Sequence, residues 1–391
     1  MPGAQLEIPT VRPPDRLPVL DQRQRGTSFH EVPVKAILNS PATTGMGFWS
    51  LNPYIGCEFG CTYCYARETH KWTVERARGL YDGKAVGKQE HEATAVSLAA
   101  TDSPPALPPS RPPATEPPSG ARQRDPGARE SRGTLPPWLA FEKRILVKTT
   151  AAAVLKRTLF PRKLAGCTLM IGTATDPYQP AEQRFRLTRG VLEALLGWHG
   201  LKLGIITKSP LILRDRDLLL KLAERHDLTI NISLASTDAE LLRRIEARSP
   251  APHARLRALE RLARAGLHTG LLIAPILPGL TDSRESLAAL MRQAKDAGAR
   301  FAAGFPLRLG PATRERLLPH LAEEFPELAQ RYARHYAGRS NASRAYVDAL
   351  TARIQELQRE FGFTPQAARQ RKGRMHAAPP RDDDTHQWSL W

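Results

Sequence analysis

The chain has 391 residues, 41% of them hydrophobic, enough for one large core or two. No continuous apolar run reaches about 18 residues and no basic-then-apolar leader opens the sequence, so a cytoplasmic protein with no membrane partner is expected. The formal net charge of +18, from 57 basic against 39 acidic residues, favours a polyanionic partner, above all nucleic acid.

In chain order, residues 1–32 are polar and Pro-rich and read as a flexible arm. From Val34 the sequence becomes more apolar, with a strand expected at Trp49–Tyr54. It leads into CEFGCTYC, Cys57 to Cys64, where three of the chain's four cysteines fall within eight positions. In a reducing compartment such clustering points to metal or redox chemistry rather than disulfides. Thiolate is a soft ligand for zinc, copper(I) or iron–sulfur clusters. A zinc site would take His70 as its fourth ligand, but no second C-x2-C pair exists. Three ligands spaced C-x3-C-x2-C on one tight loop match a cubane cluster with one iron left open, whereas electron-transfer clusters close all four irons with cysteine. Gly56 and Gly60 let the backbone wrap closely.

Residues from about 80 to 136 read as a disordered insertion, because 101–137 alone holds 11 of the 34 prolines and little that would pack. Beyond it, short apolar strands at Arg144–Lys148, Cys167–Thr173, Lys202–Thr207, Leu228–Leu234, His268–Ala274 and Arg300–Phe305 alternate with amphipathic helices, among them Glu182–His199. This rhythm predicts an α/β fold in which about six strands share one parallel array, a partial (β/α)6 TIM-type barrel with a C-terminal helical extension. The core spans 33–310, the helical region 311–365, and a disordered basic tail 366–391. Between Ala329 and Ala378 lie 10 basic and 3 acidic residues, either a basic binding surface or a solvated helix face.

The cysteine spacing on such an array, with Tyr63 before the third cysteine, resembles the radical SAM superfamily. The resemblance implies that Cys57, Cys61 and Cys64 hold a [4Fe–4S] cluster and that S-adenosylmethionine fills the open iron. It also implies that an electron donor such as flavodoxin or ferredoxin reduces the cluster, and that cofactor cleavage yields a 5′-deoxyadenosyl radical that abstracts hydrogen from the substrate. The strings NPYIGCEFGCTYCYAR, GTATDPYQPAEQ (Gly172–Gln183) and ITKS (Ile206–Ser209) are similar to the spore photoproduct lyase-like branch, often labelled DNA repair photolyases. This similarity runs over about Pro33–Gly310.

Active sites of parallel barrels lie at the carboxyl ends of the strands. Tyr63, Thr173, Thr175, Asp176, Lys208 and Ser233 are therefore the candidate cofactor contacts. Asp176 before Pro177 would also serve as a turn cap, Lys208 is expected to find a carboxylate partner or reach solvent, and Ser233 would equally suit simple packing. Ala274–Asp282 resembles the family's adenine-side loop, though its Pro278 and Gly279 also suit a turn. Tyr65 and Tyr178 are placed at the same mouth, as stacking or hydrogen-donating catalytic candidates or as packing aromatics. Spore photoproduct lyases carry a cysteine where this chain has Thr173, whose O–H is too strong to return a hydrogen atom. Cys167 starts the same strand and reads as a buried cysteine toward the opposite rim.

The chain ends QWSLW. Gln387, Trp388, Leu390 and Trp391 on a polar tail resemble the peptide by which clients dock on the bacterial sliding clamp. The resulting expectation is a lyase- or DNA-repair-like radical SAM enzyme. The alternatives are modification of RNA or protein, or a non-catalytic, metal-stabilised adaptor for nucleic acid and the clamp.

Overall fold

The computed structural model describes residues 19–22, 26–68, 135–164 and 166–363. Apart from 135–136, the expected insertion lies outside the described residues, as do His70 and the tail with its QWSLW end. The strands are β1 (Val19–Gln22), β2 (Ser28–Glu31), β3 (Leu38–Asn39), β4 (Trp49–Leu51), β5 (Tyr54–Ile55), β6 (Arg144–Val147), β7 (Thr168–Ile171), β8 (Lys202–Thr207), β9 (Asp227–Ser233), β10 (Thr269–Ile276) and β11 (Phe301–Pro306). They form two sheets. The larger has the order β11-β10-β9-β8-β7-β4-β3. Its strands from β4 to β11 are parallel neighbour to neighbour, and β3 closes the edge antiparallel.

These strands are apolar through most of their length because both faces are covered. Leu203, Ile205, Ile230, Ile232, Leu271 and Ile273 are all at most 1% exposed, so the sheet is the centre of the core. The mixed α/β architecture with six parallel strands is that of a partial TIM-type barrel; β4 and β11 do not pair, so it is open. Three helices follow, Pro311–Glu324, Pro326–His335 and Arg344–Glu360, as the C-terminal region predicts. Among the described residues no helix is long and apolar enough to cross a membrane.

Three expectations change. Arg144–Val147 leaves the parallel array and joins the small sheet, ordered β1-β2-β6-β5. The arm expected over 1–32 contains two strands of that sheet, and Phe29 is 1% exposed within it, packed with Tyr54, Ile145 and Val147. Its pairing partner lies more than a hundred residues away, beyond the reach of a local pattern. The helix expected over Glu182–His199 divides into Glu182–Phe185 and Leu187–Leu195, with Arg186 left-handed at φ 50 between them. The Glu182 carboxylate accepts the Thr188 and Arg189 amides at 2.9 and 3.2 Å, capping the second helix in place of continuing the first.

The rim above β9 is fixed by a buried charge pair. Arg255 donates to the Glu246 carboxylate, both side chains 0% exposed, and to the carbonyls of Ser233 (3.2 Å) and Pro250 (2.7 Å). Arg255→Ala strands a buried carboxylate and is expected to lower unfolding free energy by about 3–5 kcal/mol. Urea denaturation measures this; a loss below about 1 kcal/mol, that of an ordinary surface pair, would show that Glu246 does not depend on Arg255.

Candidate metal and cofactor site

The cysteine loop does not follow β4 directly. The chain breaks at Asn52–Pro53, crosses to the small sheet as β5, and enters the loop at Gly56. There it is largely buried, and most of the contacts that hold it come from distant segments. Cys57 N–H donates to the Phe141 carbonyl at 2.9 Å, and Thr62 N–H to that of Ile245 at 3.1 Å. The Gln179 amide clamps both sides of Cys57, accepting from Glu58 N–H at 2.9 Å and donating to the Gly56 carbonyl at 3.1 Å. Arg67, wholly buried, donates to the Cys61 carbonyl at 2.7 Å, and Thr313 Oγ1 to that of Cys64 at 3.1 Å. Gly60 is left-handed at φ 57, a conformation that L side chains rarely adopt, and the Arg248 guanidinium fills the space where a Cβ would stand.

Cys57, Cys61 and Cys64 are free thiols, the first two buried. Burial pushes the Cys57 thiol well up, reinforced by the Asp176 carboxylate beside it. Burial likewise pushes Cys61 up to about 11, eased by the Lys208 ammonium. Thiols so desolvated become thiolates when a metal binds and displaces their protons, which are released. Among the described residues no three His, Cys, Asp or Glu side chains converge on a point for one metal ion. Three thiolates spaced on one loop can each take a separate iron. The donor set and its burial therefore fit an iron–sulfur cluster.

The candidate cofactor contacts gather beside this loop, several with a structural task already. Asp176 accepts from Tyr178 N–H (2.9 Å), Thr207 Oγ1 (2.7 Å) and Lys208 N–H (2.7 Å), so it ties the ends of β7 and β8 together as a turn cap. Burial raises its carboxyl, opposed by those same hydrogen bonds. Lys208 is half-buried and forms no salt bridge among the described residues; its ammonium lies 5.6 Å from the centre of the Tyr63 ring. The Tyr63 hydroxyl is buried with no hydrogen-bond partner among the described residues. An unpaired ammonium and an unsatisfied hydroxyl at the cysteine loop are the features that a polar, carboxylate-bearing cofactor would satisfy.

Thr173 and Thr175 are held by Asn52, which follows β4. Asn52 Oδ1 accepts from Ala174 N–H (2.9 Å) and Thr175 N–H (3.3 Å), and Thr175 Oγ1 donates to the Tyr54 carbonyl at 3.2 Å. The Tyr65 hydroxyl donates to the Thr173 carbonyl, so Tyr65 positions this loop. Tyr178 is not at the mouth: it is 0% exposed, and burial and the Asp215 and Glu182 carboxylates push its phenol far up. Ser233 is buried and reaches the Ala274 carbonyl at 3.4 Å. In Ala274–Asp282, Gly279 N–H donates to Asp282 Oδ1 at 2.8 Å, which closes a turn. Cys167 precedes β7 at the end away from Thr173 and is half-exposed rather than buried.

Asn52, Gln179, Arg67 and Lys148 were not singled out from sequence. Lys148 is buried, its amine lowered to about 8 by desolvation, and it donates to the Asn52 carbonyl at 2.9 Å. Asn52 and Gln179 do stand within the strings NPYIGC and TDPYQP, as polar residues among apolar neighbours, which is the available signal.

The Radical SAM superfamily profile matches residues 140–291. A protein of Mycobacterium tuberculosis, named only as uncharacterised, is 32% identical over 334 residues, covering 85% of this chain and 80% of its own. Another such protein, from Methanocaldococcus jannaschii, is 25% identical over 232 residues, 59% of this chain and 61% of its own. Among solved structures, spore photoproduct lyase complexed with dinucleoside spore photoproduct overlaps at 16% identity and TM-score 0.43, covering 57% of this chain and 67% of that one. Streptococcus suis SuiB bound to S-adenosylmethionine overlaps at 16% identity and TM-score 0.33, covering 52% and 43%. The chain belongs to the radical SAM superfamily. Its cofactors are a [4Fe–4S] cluster and S-adenosylmethionine.

Asn52→Leu leaves two loop amides without an acceptor, at about 1–3 kcal/mol each. Equilibrium dialysis of the reconstituted protein is expected to show S-adenosylmethionine binding weakened at least about tenfold, the equivalent of 1.4 kcal/mol; unchanged affinity would mean that the loop is held without Asn52. Alanine at Cys57, Cys61 or Cys64 is expected to abolish the cluster's visible absorbance, while Cys167→Ser keeps iron content and cofactor cleavage. Loss of either in the Cys167 variant would place that residue in the site.

Proposed function

We propose that this protein is a radical SAM enzyme that acts on nucleic acid in a DNA-repair-like reaction. The observation that carries the enzymatic part is the group of three thiols, those of Cys57 and Cys61 buried, next to Lys208 and the Tyr63 hydroxyl. Such a site has the polar features to hold a cofactor, where a purely structural metal site would be closed. Bound and reduced, the cluster would supply the electron for reductive cleavage of S-adenosylmethionine, the chemistry that opens hydrogen abstraction. Cys57, Cys61 and Cys64 hold the metal, and Lys208 and Tyr63 offer polar contacts to the cofactor. Asp176, Asn52 and Tyr65 fix the loop that faces it. Nucleic acid as substrate is supported by the net charge of +18 and by the sequence similarity to the photolyase-like branch. With Thr173 where that branch has its cysteine, the final hydrogen atom comes from another donor.

Anaerobic reconstitution with iron and sulfide, followed by reduction with S-adenosylmethionine, is expected to give 5′-deoxyadenosine; a protein that binds zinc alone and cleaves nothing would be an adaptor. Deuterated pools of damaged DNA, RNA and peptides then identify the substrate. Transfer of deuterium into 5′-deoxyadenosine is expected from the DNA pool, and transfer from RNA or peptide alone would overturn the nucleic-acid repair reading.

We also infer that the tail QWSLW docks on the bacterial sliding clamp, which would bring the enzyme to replicating or repaired DNA. The full chain is expected to be pulled down by the clamp and the Gln387→Ala/Leu390→Ala variant to be lost; equal capture of both would remove this partner.

A further inference from the structure

The cysteine loop carries a charge cluster that the cofactor site does not use. Glu142, its side chain 7% exposed, meets three guanidinium groups: Arg67 at 2.7 Å, Arg316 at 3.3 Å, and Arg248. Three cations less one carboxylate leave a local surplus of two positive charges. Arg67 is fully enclosed, and its two terminal nitrogens donate to Glu142 and the carbonyls of Cys61 and Trp138. The surplus therefore reaches solvent through Arg248 and Arg316, 32% and 27% exposed. The nearby exposed cations Arg243 and Arg244 are matched by Glu240 and Glu324.

This surplus stands directly on the loop. A Cβ at Gly60 would lie 1.7 Å from a terminal nitrogen of Arg248, so the bare Gly60 has that guanidinium as its cover. The adjoining Ser249 hydroxyl is 3.4 Å from Cys61 Sγ. Arg316 lies 5.6 Å from the ring centre of the half-exposed Trp138, which adds an apolar contact to the patch. Arginine beside an aromatic residue is a frequent composition of protein interfaces. The patch is small, cationic and next to the metal-binding loop. Electron transfer weakens steeply with distance, so a reductant gains most where the least side-chain matter covers the cluster.

We propose that Arg248, Arg316 and Trp138 form the docking surface for a small acidic one-electron donor protein of flavin or iron–sulfur type. The proposal rests on the cluster reading given above. In the step it serves, one electron leaves the donor's reduced centre, which is oxidised by one, and enters the cluster, which is reduced by one; no bond forms or breaks. Charge at an interface rim acts mainly on association rate and on its salt dependence.

The test uses the reconstituted holoprotein with purified bacterial flavodoxin as the probe. Flavodoxin affinity is measured by interferometry at low and moderate salt, and 5′-deoxyadenosine formation is driven either by reduced flavodoxin or by dithionite. In R248Q/R316Q, flavodoxin binding is expected to weaken roughly tenfold and to lose much of its salt dependence. The flavodoxin-driven rate falls with it, the dithionite-driven rate stays unchanged, and R248K/R316K restores binding. Unchanged affinity in the double glutamine variant overturns the proposal, as does an equal fall with dithionite, which would make the arginines supports of the loop. Loss of duplex-DNA affinity with flavodoxin binding intact would assign the patch to nucleic acid instead. If the unsubstituted protein forms no 5′-deoxyadenosine with dithionite, the cluster reading fails, while the affinity comparison still judges the docking surface.

Discussion

The structure depends on the burial of a loop that has no regular secondary structure. Between Gly56 and Arg67 the backbone runs through the interior, where an unpaired amide or carbonyl costs about 1–3 kcal/mol. Turns within the loop satisfy some of these groups, as where Gly60 N–H meets the Cys57 carbonyl and Cys64 N–H that of Cys61, and other groups need side chains or distant segments. Phe141, Gln179, Ile245, Arg67 and Thr313 each supply a partner. They come from the helix before β6, the segment after β7, the rim above β9, the loop itself and the first C-terminal helix. Holding three cysteines in place thus requires most of the fold to be assembled.

The same burial sets the electrostatics. Desolvation raises the thiols of Cys57 and Cys61, and the Asp176 carboxylate adds to the effect at Cys57. The compensating cation is Lys208, which lies over Tyr63 beside the loop, eases the Cys61 thiol and forms no salt bridge among the described residues. A loaded site carries the charge of its ligands and metal, and positive groups around it offset part of their desolvation.

The smaller sheet explains a feature that the larger one leaves open. Because β5 turns away from β4 at Asn52–Pro53 to pair with β6, the Asn52 side chain is released to hold the Thr173–Thr175 loop, and the Tyr54 hydroxyl reaches Glu182 at 2.5 Å. Glu182 in turn ends one helix and caps the next.

The amino-acid sequence by itself determined what is local. The C-x3-C-x2-C spacing places three soft ligands on one loop, continuous apolar runs such as KLGIIT mark strands covered on both faces, and the position of Asp176, Lys208 and Ser233 just at strand ends puts them on one rim. Only the tertiary structure decided which of these groups have a task already: Asp176 is consumed as a cap, Tyr178 is enclosed, and Lys208 forms no salt bridge among the described residues. It also decided that RILV belongs to the second sheet, that the N-terminal arm supplies strands, and that Asn52, Gln179 and Glu142 hold the site. The reason is physical. Periodicity reports a residue's own face and spacing, whereas strand pairing and buried hydrogen bonds join segments up to more than a hundred residues apart, and their partners are chosen by where the fold leaves a polar group unsatisfied.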